Sequence, residues 1–277
     1  MKTDTAYGRE ARSEKPQSVT TLAEMKRKGE KITCLTGYDA SFSALLDRAG
    51  VDVILVGDSL GMVIQGYGST LAVTMDQMVY HTRCVVRGRQ RAFVIADLPF
   101  MSYPEPNRAA ENAARLLREG EAQMVKLEGG RIRAETVRHL VAQGIPVCGH
   151  LGLLPQSVHQ IGGYRVQGKD QQAAETMLED ARILQDAGAT LLVLECVPAS
   201  LAKKITESLA IPTIGIGAGV DCDGQVLVLY DLLDITPGKR PKFSKNFMAE
   251  TGDAVSAVRA FVDEVRKGRF PTEEQSF

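Results

Sequence analysis

Four carboxylates carry the chemical potential of this chain. Each closes a short apolar run: Val51-Asp-Val-Ile-Leu-Val-Gly-Asp58, Phe93-Val-Ile-Ala-Asp97, Met124-Val-Lys-Leu-Glu128 and Leu191-Leu-Val-Leu-Glu195. Such runs read as strands buried on both faces, as in parallel sheets, so each acid sits at a strand's C-terminal end. A carboxylate there is costly to desolvate unless a cation pairs with it. Side chains alternate along a strand, so Lys126 and Glu128 share a face, and neighbouring strands lie about 5 Å apart. Asp58, Asp97 and Glu128 are therefore expected close together. An all-oxygen cluster of this kind suits a hard divalent ion, Mg2+ first, because Mg2+ keeps waters that a substrate can replace. Taken singly, any of these acids could equally cap a helix. The set, with a lysine among it, favours the metal.

Other chemistry-bearing residues say less. Cys148-Gly-His150 places two metal-binding types on one face, but a Cys-x-His pair alone is poor evidence for zinc. His150 could reach a bound ligand from there, and an ordinary hydrogen-bonded histidine fits equally. His81, His139 and His159 fall in helix or loop contexts and read as structural or exposed. Gly215-Ile-Gly-Ala-Gly219 follows an apolar run where barrels often bind phosphate. Close packing explains it equally, and the spacing is wrong for a dinucleotide fingerprint.

The elements that must position these groups alternate. Strands are expected over 32–36, 52–56, 92–96, 123–127, 146–149, 190–194 and 212–216, with segments of helical periodicity between them. A helix capped at Ser18 or Thr20 precedes the first strand and stops at Gly29, and Asp39 reads as the N-cap of the next. The last helix runs over 253–265. Over 225–233 periodicity does not separate a helix from an eighth strand. Two long insertions, 57–70 and 151–168, read as functional loops. Strand–helix alternation leaves a barrel or a doubly wound open sheet. The length of 277 residues and the number of units favour the barrel, whose catalytic groups gather at the C-terminal rim. Residues 1–18 mix basic with acidic side chains and read as a flexible polar arm, leaving 19–277 as a single barrel domain.

A formal net charge of −1 provides no bulk field for nucleic acid or an anionic membrane, so neither is expected as a partner. No apolar run reaches transmembrane length, and the N-terminus lacks a secretory core. Five scattered cysteines read as the reduced thiols of a cytoplasmic protein rather than a disulfide framework.

Longer motifs carry a resemblance. Val56-Gly-Asp-Ser-Leu-Gly61, Ala96-Asp-Leu-Pro-Phe-Met101, Met124-Val-Lys-Leu-Glu-Gly-Gly130, Val147-Cys-Gly-His-Leu-Gly152, Leu194-Glu-Cys-Val-Pro198, Ile214-Gly-Ile-Gly-Ala-Gly219 and Lys245-Asn-Phe247 resemble the ketopantoate hydroxymethyltransferase family. The likeness runs from about Thr20 to the C-terminus. It implies a (β/α)8 TIM barrel of the phosphoenolpyruvate/pyruvate-binding type, assembled as a homodecamer in the cytoplasmic route to pantothenate. The implied reaction moves a hydroxymethyl unit from 5,10-methylenetetrahydrofolate to the keto acid 3-methyl-2-oxobutanoate, giving 2-dehydropantoate. By the same resemblance Asp58 and Asp97 hold Mg2+, with Glu128 directly or through water. Ser59 and Lys126 bind the keto acid, and Glu195 accepts the proton; His150 is a further candidate contact. Two rivals remain. A carbon–carbon lyase on the same barrel would need a catalytic cysteine in a mobile loop, which none of the five positions matches. A non-catalytic scaffold would have no reason to hold Lys126 and Glu195 inward.

Overall fold

Alternation along each apolar run decides what the strands enclose. The computed structural model describes residues 15–236 and 238–277. Its strands are β1 Ile32–Thr36, β2 Val53–Val56, β3 Phe93–Asp97, β4 Met124–Glu128, β5 Val147–Gly152, β6 Leu191–Glu195, β7 Thr213–Ile216 and β8 Gly224–Leu227. They pair in parallel in sequence order, and β8 pairs with β1 to close the barrel. The open-sheet alternative is thereby excluded. Val53, Leu55, Phe93, Ile95, Met124 and Val193 point inward and fill the lumen. Their neighbours Ile54, Val94, Val125, Leu127 and Leu192 point outward and pack in the larger core with the helices. Both faces are buried, as the unbroken apolar runs require.

The larger helices are α1 Val19–Lys28, α2 Ala40–Ala49, α3 Met75–Gly88, α4 Pro106–Arg118, α5 Ala134–Ala142, α6 Gln171–Asp186, α7 Ala199–Ser208 and α8 Ala254–Arg266. Ser18, Asp39, Thr74, Asp170 and Asp253 cap five of them by accepting a backbone N–H from the first turn. Helix α1 stands outside the alternation. Its Leu22 is buried among the lumen residues, with Val19 and Met25 packed beside it, so α1 stoppers the N-terminal end. Beneath the same end Arg91 lies 3.2 Å from the buried Asp52, which also accepts from the Thr33 hydroxyl at 2.7 Å.

Three readings change. The ambiguous stretch 225–233 is both things in turn, with β8 followed by a short helix Leu229–Leu232. β5 continues past Gly149 through His150 to Gly152, so His150 is a strand residue. Asp97, Glu128 and Glu195 are the last residues within the ladder rather than the first beyond it. Of the expected arm, 1–14 lie outside the described residues, and Ser18 belongs to the α1 cap. Among the described residues no helix is long and apolar enough to cross a membrane.

Candidate active site

Strand register stacks the inward side chains in layers. Asp97 pairs with Lys126, and Lys126 with Cys148. One layer nearer the mouth Glu128 pairs with His150, and Glu195 follows beside Gly152. Apolar filling therefore gives way to charge at the C-terminal rim. Asp58 reaches the same rim by a turn. Gly57 leaves room for the Ser59 hydroxyl: a Cβ there would lie 2.7 Å from Ser59 Oγ. The Asp58 N–H then donates to Asp97 Oδ2 at 3.1 Å, and Ser59 Oγ shares a 2.8 Å hydrogen bond with the Tyr38 hydroxyl.

Lys126 Nζ lies 2.9 Å from Asp97 Oδ1 and 3.4 Å from His150 Nδ1. Burial works against its charge, but Asp97, Glu128 and Asp58 outweigh that and hold the ammonium protonated. His150 bridges two acids, with Nε2 at 3.1 Å from Glu195 Oε2 and Nδ1 at 3.6 Å from Glu128 Oε1. Burial and Lys126 push its pKa down, yet the two carboxylates prevail and bring it up to about 9. Asp58 is held well above the ordinary carboxylate range by burial, then by Asp97 and Glu128, against the pull of Lys126 and Gln156. The site thus carries more buried negative charge than Lys126 and His150 balance.

That imbalance suits a divalent cation. Asp97 Oδ1 lies 2.9 Å from Lys126 Nζ, so a cation held by Asp97 would share that carboxylate with the ammonium. The expected trio of Asp58, Asp97 and Glu128 is not a preformed cage, however. Among the described residues no three His, Cys, Asp or Glu side chains are arranged to hold a metal. Lys126 leans on Asp97, and Gln156 is hydrogen-bonded to both Asp58 and Glu128. The set fits an ion taking one or two carboxylates and keeping water elsewhere, the habit of Mg2+. The same result leaves Cys148 and His150 without the further ligands zinc would need.

Sequence reasoning missed Gln156, Tyr103 and Tyr164. Gln156 lies in the 3-10 turn Pro155–Ser157 and Tyr103 in the loop after β3, where no periodicity marks them. The length of the 151–168 insertion was the available signal. Tyr164, on that insertion, reaches across to Met62 Sδ at 3.6 Å. Burial raises its hydroxyl pKa, and Glu195, Asp58 and Glu128 add to the effect. Gly215-Ile-Gly-Ala-Gly219 is a packing device: a Cβ on Gly217 would meet Phe243 and Phe277 at 3.0 Å, and one on Gly219 would meet Ala199 at 2.5 Å. Cys34, Cys148, Cys196 and Cys222 are buried, and Cys84 is half-buried in α3. None is the exposed loop nucleophile of the lyase alternative.

A closed parallel barrel with its charged groups on the C-terminal rim defines a class by fold. 2,3-Dimethylmalate lyase, of the phosphoenolpyruvate mutase/isocitrate lyase superfamily, superposes with a TM-score of 0.57 at 16% identity, covering 85% of this chain and 89% of that one. Phosphonopyruvate hydrolase in complex with oxalate and Mg2+ superposes at 0.59 with 11% identity, covering 93% and 92%. The chain belongs to the ketopantoate hydroxymethyltransferase family, whose model matches residues 16–273. A relative from Nitrosococcus oceani, 3-methyl-2-oxobutanoate hydroxymethyltransferase, is 64% identical over 260 residues, covering 94% of this chain and 98% of its own.

Proposed function

We propose that this chain transfers a hydroxymethyl group from 5,10-methylenetetrahydrofolate to 3-methyl-2-oxobutanoate, forming 2-dehydropantoate on the route to pantothenate. The observation that carries the reading is the likeness to the Nitrosococcus enzyme over 94% of this chain, and the grouping of Asp97, Lys126, Glu128, His150 and Glu195 at one end of the barrel supports it. Asp58 and Asp97 would hold Mg2+, with Glu128 reaching it directly or through water. Bound there, the ion supplies Lewis-acid stabilisation of the negative charge that develops on the keto oxygen. Lys126 and Ser59 receive the substrate carboxylate, Lys126 as a point charge. Glu195 takes the C3 proton, while His150 holds its Oε2 and keeps the carboxylate aimed. The C3–H electron pair passes into the enolate. Water adds to the folate methylene carbon as its bonds to N5 and N10 both break. C3 adds to the formaldehyde carbonyl so released, whose oxygen takes the proton held by Glu195. Water provides the hydroxyl oxygen and tetrahydrofolate leaves. The same family reading supports a homodecamer working in the cytoplasm.

Proton abstraction does not need the folate. Incubated with the keto acid and Mg2+ in deuterated water, the protein should exchange the C3 hydrogen, and full turnover should need keto acid, Mg2+ and folate together. Exchange that persists undiminished in a chelator, or turnover without the folate donor, overturns the reading.

A further inference from the structure

Gln156 uses every hydrogen-bonding group of its amide. Nε2 donates to Asp58 Oδ2 at 2.8 Å and to the Leu98 carbonyl at 3.0 Å, while Oε1 accepts from the Tyr103 hydroxyl. Its backbone N–H donates to Glu128 Oε2 at 3.0 Å. One residue thus ties down two of the three carboxylates assigned to the metal, Asp58 by its side chain and Glu128 by its backbone N–H, with neutral donors that add no charge. We propose that Gln156, locked in one orientation by Tyr103, is the positioning residue that fixes which oxygens Asp58 and Glu128 offer to a divalent cation. The inference rests on the metal reading given above.

The orientation of the amide follows from its neighbours. The Glu128 N–H donates to the Tyr103 oxygen at 3.3 Å, so the phenol hydrogen is left for Gln156 Oε1. The NH2 must then face the Leu98 carbonyl, which can only accept, and with it Asp58 Oδ2. A flipped amide would set oxygen against oxygen at the Leu98 carbonyl and leave the Tyr103 hydroxyl hydrogen without its acceptor. Tyr103 is itself held, since the Arg133 guanidinium lies 4.9 Å from its ring centroid and donates to its carbonyl at 3.4 Å. The result is selective. Asp58 Oδ2 and Glu128 Oε2 are each occupied, leaving Asp58 Oδ1 and Glu128 Oε1 as the oxygens turned elsewhere, the latter toward His150. Partners of this kind orient metal-binding side chains, and losing them typically costs about 10–100-fold in metal affinity or activity.

Mn2+ serves as the probe, because its electron paramagnetic resonance signal reports binding without substrate or turnover. Gln156→Met keeps the length of the side chain and removes its donors; Tyr103→Phe keeps the amide and frees it to flip; Asp97→Ala tests the metal site itself. Gln156→Met should weaken Mn2+ binding by about 10–100-fold, and Tyr103→Phe should weaken it in the same direction by a smaller factor. The KM for keto acid should rise in both. A purely structural role would instead lower the unfolding temperature in chelator and leave the Mn2+ dissociation constant alone. Mn2+ affinity within about threefold of the parent in both variants, with Asp97→Ala abolishing binding, overturns the positioning role. Parental binding by Asp97→Ala overturns the metal reading itself, and this inference with it. Should Gln156→Met not fold, Tyr103→Phe decides alone.

Discussion

Replacing Lys126 by methionine withdraws an ammonium from among buried carboxylates while nearly conserving its volume. The Lys126 and Asp97 side chains are 5% and 4% exposed at 2.9 Å, so solvent screens the pair little. Removing one partner of such a pair costs about 3–5 kcal/mol, because the other charge stays buried. Unfolding entropy near 60 °C is roughly 2.1 cal/mol/K per residue, about 0.58 kcal/mol/K over this chain, so Tm in chelator should fall by ~5–9 °C. The sign with pH follows from Asp58. Its carboxyl is raised by burial, then by Asp97 and Glu128, and Lys126 opposes the rise. A group whose folded pKa exceeds its unfolded one stabilises the fold at low pH and loses that contribution as pH rises through the folded value. Without Lys126 the Asp58 carboxyl is raised further, so the deficit should deepen from about pH 5 to about pH 8. Mg2+ should restore part of it at the higher pH, since a divalent ion replaces the missing charge. Melting curves at both pH values, with chelator and with Mg2+, measure all of this. A Tm within about 2 °C of the parent at both would refute the claim that Lys126 balances the rim.

Glu195→Gln keeps a partner for His150 but cannot accept a proton at neutral pH. Exchange at C3 and turnover should fall together by about 10²–10⁴-fold with keto-acid binding by calorimetry little changed, and exchange at the parental rate would shift the base to His150. Gly152→Ala would place a Cβ 2.1 Å from the Glu195 carbonyl oxygen at a backbone φ of +96°, so it must displace the end of β6. Misplacement of about 1 Å can cost on the order of 100-fold, so C3 exchange should fall by that order; a loss under about threefold would show that Gly152 does not set Glu195. Leu22→Ala empties a fully buried position far from the rim, and should cost about 2–5 kcal/mol in denaturant unfolding. Its kcat and KM should stay parental at temperatures where it is folded; a changed KM would tie α1 to the mouth.

Much of the barrel was legible because its strands are apolar on both faces. Seven expected strands lie within a few residues of those observed, and Asp39 caps α2 as its spacing suggested. β8 was hidden because Gly224–Leu227 runs through one residue into another short apolar helix. Four residues are too few for either periodicity to declare itself. Among site residues the acids were readable because a charge at the end of an apolar run is anomalous. Gln156 was not, since a glutamine in a polar turn is ordinary until its contacts are seen. Asp58 was expected on the right rim, but strand alternation could not predict how it gets there. It lies in the turn after β2, held by its N–H to Asp97 Oδ2 and by Gln156 on Asp58 Oδ2.

Helix α1 covers the N-terminal end of a lumen that apolar side chains already fill, so ligands reach the charged groups from the C-terminal rim alone. On the proposed reaction the keto acid lies deep, against Lys126 and the acids, while the bulkier folate must lie above it. Entry is then a queue: the small substrate first, the donor second. Departure reverses the order, with tetrahydrofolate leaving before 2-dehydropantoate can. If the proposed reaction holds, this single approach predicts ordered kinetics in steady state, with substrate inhibition by excess folate as the sign to look for.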